Sequence, residues 1–133
     1  MKENTMDNGY RTLDVDLTYL KEFSNGDIDF EKEILESIII DADEMLGMFK
    51  CSIENKDYEK IIFLAHSLKS LMNIVGSKKL YKYFYTIEQK KYSLINLDLN
   101  CLEFQYNSIE EKWINAKYKL LNLIKGEEVK IIT

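Results

Sequence analysis

The sequence predicts an all-α fold: an antiparallel, up-down-up-down four-helix bundle with a short extra N-terminal helix. Three observations predict it. Proline is absent and only five glycines occur in 133 residues, so the residues that strand turns need are scarce. Apolar residues recur at three- and four-residue intervals over four long stretches, the mark of helices with one buried stripe. The breaks between those stretches are short, which makes successive helices antiparallel neighbours. A 46% hydrophobic content over this length supplies one sizeable core and fits one domain.

Residues 1–12 are polar and read as a flexible lead. The helical domain spans 13–126, and 127–133 form a tail. Asp14 or Asp16 can cap a short helix through Leu17, Tyr19, Leu20 and Phe23. Asn25-Gly26-Asp27 breaks that pattern, and Asp27 or Asp29 can cap the next helix. Glu31 and Glu33 stand in its first turn, where the helix dipole favours anions. Its apolar stripe runs from Phe30 through Ile34, Leu35, Ile38, Ile39, Met45, Leu46 and Met48 to Phe49.

Glu54 to Asp57 reads as a loop, and a third helix spans Tyr58 to Val75. Gly76 can end it in the left-handed conformation, and Ser77 can cap the fourth helix. That helix carries Leu80, Tyr81, Phe84, Tyr85, Ile87 and Glu88 and ends near Tyr92. Ser93 to Asn100 form a connector. The last helix runs from about Leu102 to Ile124, with Phe104, Ile109, Trp113, Ala116, Leu120 and Leu123 inward. Lys125-Gly126 resembles a helix end, and the short first helix is expected to pack over one end of the bundle.

Composition narrows the function. A net charge of -5 argues against a general nucleic-acid binder and against an anionic membrane surface as partner. The N-terminal stretch lacks the apolar core of a signal peptide, and no apolar run is long enough to span a bilayer. A cytoplasmic location is the expectation. Cys51 and Cys101 are far apart without CxxC spacing, so they read as buried or half-buried free thiols. With one histidine, a structural zinc site is not expected. Asp41, Asp43 and Glu44 lack a Ca²⁺-loop pattern and read as a solvated face. Lys78, Lys79 and Lys82 read as a solvated helix start or as steering charges for an acidic partner.

The one histidine, His66, lies on the third helix, where 100° per residue settles its direction. Ile61, Leu64, Ala65, Leu68, Leu71, Met72 and Val75 fall within roughly 120° of arc and face the core. His66 falls about 160° from the centre of that stripe and points to solvent. Lys69 and Ser70 stand one turn away at i+3 and i+4, and Asn73 one further turn along. Ile62 and Phe63 flank the histidine from the other side, apolar yet outside the stripe, as a docking patch would be. The alternative is that the short first helix covers one of them.

These residue types suit phosphoryl transfer. Imidazole is a competent nucleophile near pH 7, its ordinary pKa being about 6.5. Lys69 supplies a point charge for phosphoryl oxygens, and Ser70 is small and carries a hydroxyl donor. Asn73 has an amide that could orient the ring or the phosphate.

The run Ala65-His66-Ser67-Leu68-Lys69-Ser70, with Gly76 ten residues after the histidine and Leu80 beyond, resembles the signature of histidine-containing phosphotransfer (HPt) domains. Thr86-Ile87-Glu88 resembles that family's ending of the following helix, and Tyr19 to Asp27 with Glu33-Ile34-Leu35 its entry into the second helix. The similarity covers roughly Asp14 to Gln89; Ser70 stands where glycine is commoner, though the family also uses serine. The resemblance implies a four-helix bundle in which His66 is phosphorylated, Lys69 stabilises the phosphoryl group, Ser70 leaves the partner access and Gly76 ends the helix. It implies receiver domains of a hybrid histidine kinase and of a response regulator as partners. The Mg²⁺ of the reaction would belong to the receiver, with no cofactor or metal on this chain. A monomer is expected.

No Gly-rich nucleotide loop is present, so phosphorylation from ATP is not expected. Two other readings stay open. One is the phosphoacceptor part of a histidine kinase, although Ser67 follows the histidine where an acidic residue is usual and proline is lacking. The other is a helical interaction module with an incidental histidine.

Overall fold

Four aspartates each set a carboxylate before a helix, where the first N–H groups have no partner within the helix. Asp16 accepts from the Thr18 N–H at 3.0 Å, Asp27 from Phe30 at 3.0 Å, Asp57 from Lys60 at 3.2 Å and Asp98 from Asn100 at 3.0 Å. The helices that follow are α1 (Thr18–Ser24), α2 (Ile28–Glu54), α3 (Tyr58–Val75) and α5 (Leu99–Lys125). Between the last two lie α4 (Lys78–Gln89) and two 3₁₀ turns, Lys90–Tyr92 and Leu94–Asn96. The computed structural model describes residues 15–125, and its elements are all helical. The Asp14 cap, the lead over 1–12, the Gly126 helix end and the tail over 127–133 lie outside the described residues.

Of the two candidates ahead of α2, Asp27 is the cap. Ser77 occupies the start of α4, but its side chain makes no capping bond. Asn25 and Gly76 end α1 and α3 with left-handed φ of 55° and 72°. Gly76 has a second duty. A Cβ there would strike the Asp16 backbone carbonyl, and the Asp16 N–H donates to the Val75 carbonyl at 3.0 Å. The chain entering α1 therefore crosses the end of α3 at a point where only glycine leaves room.

α2 packs on α3 and α5, and α4 packs on α3 and α5. α1 lies against α2 and α3. One core forms between them. Phe49 is fully buried at its centre, edge-on to Phe84 at 5.7 Å and 6.3 Å from Tyr106. The two polar aromatic groups are satisfied: the Tyr106 hydroxyl donates to the Leu46 carbonyl, and the Trp113 indole N–H donates to Asp43 at 2.8 Å. Asp43 also pairs with Lys117 at 2.9 Å, so it joins α2 to α5, while Asp41 and Glu44 are exposed.

Several expectations are corrected. Phe104 is 79% exposed rather than inward. At 100° per residue it sits about 160° from the buried row of Leu102, Tyr106 and Ile109. Phe30 and Met48 lie at the edges of the α2 stripe and are partly exposed, because the buried arc is narrower than the apolar one. Both cysteines are free and exposed. Ile62 is half-buried against the core rather than standing clear of it. Among the described residues no helix is long and apolar enough to cross a membrane.

Candidate functional site

Glu88 is a charged residue on the core-facing stripe of α4, beside Phe84 and Ile87, and is only 5% exposed. A carboxylate so placed needs a cationic or hydrogen-bonding partner to offset its desolvation. α3, packed alongside, provides two. Lys69 Nζ lies 2.7 Å from Glu88 Oε1 as an ion-pair contact, and His66 Nδ1 lies 2.7 Å from Oε2. Lys91, just after α4, adds a third contact at 3.6 Å. Lys69 is further held over the Tyr85 ring, 5.7 Å from its centroid, and Tyr85 stacks on Tyr81.

The electrostatics follow from this packing. Lys69 beside it holds the Glu88 carboxyl down to about 2, against the upward push of burial and with help from His66. Glu88 in turn raises the Lys69 amine, against partial burial. Glu88 is therefore an acceptor only. Its bond to the imidazole requires the proton on Nδ1, so in the neutral ring the lone pair is on Nε2. The His66 side chain is 59% exposed. The arrangement is an anchored, mostly exposed imidazole with one nitrogen fixed by a buried carboxylate and the lone pair on the other.

The residues expected to join His66 fare differently. Lys69 is brought to the site, through Glu88. Ser70 is exposed, and its hydroxyl donates to the His66 backbone carbonyl at 3.3 Å, so in this conformation it faces its own helix. Asn73 stands two turns on and lines a groove with Tyr19, Met72, Lys78 and Tyr81. The ring is oriented by Glu88, not by Asn73. Phe63 is 66% exposed beside the histidine, and α1 lies at the other end of α3, by Met72 and Asn73. Glu88 itself is the residue that reasoning from sequence underused: it entered only as part of a family-like helix ending. Its position at i+4 from Phe84 on an apolar stripe was the available signal.

No family model matches the chain, and neither curated proteins nor solved structures include a significant match.

Proposed function

We propose that the chain is a histidine phosphotransfer protein that accepts a phosphoryl group on His66 from a receiver-domain aspartate and passes it to a response regulator. The single observation that carries this reading is the exposed imidazole whose Nδ1 is held by the buried Glu88. In the proposed step the Nε2 lone pair attacks phosphorus, and an Nε2–P bond forms as the P–O bond to the partner's aspartate breaks. The aspartate leaves as carboxylate. The ring keeps its Nδ1 proton and becomes a phosphorylated imidazolium, whose positive charge Glu88 stabilises. The reverse sequence discharges the group to a second receiver.

Lys69 and the ring hold the two oxygens of one carboxylate, and the amine is assigned to the phosphoryl oxygens. Mg²⁺ is assigned to the receiver. Phe63, the half-buried Ile62 and Asn73 are assigned to the docking face. The same reading takes α2 to α5 as the antiparallel, up-down-up-down bundle. It is supported by contacts of Asp43 with Trp113 and Lys117, and of Leu46 with Tyr106, which run in opposite chain directions.

The test is incubation with a radiolabelled phospho-receiver domain, beside the His66→Gln variant. Acid-labile, alkali-stable label on the wild type alone is the expected result. Absence of label with competent receivers, or equal label on His66→Gln, would overturn the proposal.

A further inference from the structure

α5 carries two stripes, and only one is used by the core. The inner stripe, Leu102 to Leu120, is buried. On the far side, within about 100° of arc, lie Phe104, Ile114, Tyr118 and Leu121. They are 79%, 54%, 63% and 39% exposed. With Asn107 and Glu111 their spacing is three and four residues in strict alternation from Phe104 to Leu121, the spacing of a two-helix seam. That stretch is about 26 Å of helix. α5 already packs on α2 and α4 through its other face.

The charges beside the seam say what fits it. Glu103 and Glu110 stand on one flank in the first half of α5, and Lys117 stands on the same flank in the second half, each seven residues after the last. Laid antiparallel on a copy of itself, with Phe104 opposite Leu121, the seam pairs Asn107 with Tyr118 and Glu111 with Ile114. Glu110 of each copy then faces Lys117 of the other, giving two opposite-sign pairs by symmetry. A parallel pairing would stack Glu111 on Glu111 and bring no opposite charges together. Lys117 already leans to this flank, where it pairs with Asp43.

We propose that the outer face of α5 is a self-association surface that pairs antiparallel with α5 of a second copy. This departs from the monomer expected from sequence and does not rest on the phosphotransfer reading. His66 is on α3, which α2 and α4 separate from this face, so both histidines stay open in the pair.

Sedimentation velocity of the full chain tests it. From about 5 to about 500 μM the mean mass should climb from 15.8 kDa toward twice that value. Ile114→Glu with Leu121→Glu should hold the mass at the monomer value with an unchanged far-ultraviolet helix signal. Glu110→Lys and Lys117→Glu should each weaken association about tenfold, and their equimolar mixture should restore it. A wild type that stays monomeric throughout, or a dimer that survives the Ile114 and Leu121 changes, overturns the surface. A mixture no tighter than either charge variant alone overturns the antiparallel pairing.

Discussion

Glu31, near the start of α2, and Glu88, at the end of α4, are 6% and 5% exposed, and each holds a lysine through one oxygen, Lys21 at 2.8 Å and Lys69 at 2.7 Å. Each gives its other oxygen to a partner on a neighbouring helix. Glu31 accepts from the Ser24 hydroxyl at 2.7 Å and so fastens α1 to α2. Glu88 accepts from His66 and so fastens α4 to α3. The difference lies in the last partner. Ser24 is buried, whereas His66 reaches solvent and has a second ring nitrogen that Glu88 does not hold. A buried carboxylate is structural by default. It becomes a positioning group when the side chain it fixes is both reactive and exposed.

Removing the last partner from each cluster should separate the two most strongly. His66→Gln should reduce phosphoryl acceptance to background and cost about 1–3 kcal/mol, because a buried Glu88 oxygen loses its ring partner, while the fold stays intact. Ser24→Ala should leave acceptance unchanged. Label transfer and thermal melts on both variants check this. Equal loss of acceptance in the two would end the distinction.

Neutralising the carboxylates should separate the clusters next. Both Glu88→Gln and Glu31→Gln take a buried carboxylate charge away from a lysine and should cost about 1–3 kcal/mol in denaturant titrations. Only Glu88→Gln should slow transfer, by about 10- to 100-fold, since it weakens the hold on the imidazolium. A Glu31→Gln rate as slow as that of Glu88→Gln would mean the effect is loosened packing, not positioning. Lys69→Ala should slow transfer about tenfold without abolishing it, and Lys21→Ala should leave the rate within about twofold. Single-turnover kinetics with one phospho-receiver give both numbers.

The smallest effect is in acid. The Glu88 carboxyl is held below its ordinary 4.5, at about 2, so its contribution to stability is complete above 4.5 and is lost as pH falls toward 2. The wild type should lose on the order of 1–2 kcal/mol over that window that Glu88→Gln does not lose, a figure discounted because His66 and Lys91 open the cluster to water. Urea titrations of both proteins across the window measure it.

Much of this was legible in the chain. The 3–4 spacing of apolar residues carries the helices, and Asp27 and Gly76 carry two of their ends, because caps and left-handed stops are local chemistry. The exposure of His66 followed from the third helix's own periodicity. Phe104 was misplaced because an apolar residue near a stripe is read into it, and the helical wheel has to be applied to each residue to refuse it. The outer stripe of α5 was hidden for the same reason.

The helical class, both ends of α3 and the outward direction of His66 depend on residues within a turn or two of one another and were legible in the chain, whereas α4 stops at Gln89 rather than near Tyr92 and α5 begins at Leu99 rather than about Leu102. Tertiary structure alone decided that Glu88, 22 residues from His66, is the ring's partner. It also decided that Glu31 meets α1 and that Gly76 makes room for the Asp16 carbonyl. The physical reason is that a buried carboxylate must find its counter-charge wherever packing brings one, and local periodicity sets only the face from which it looks.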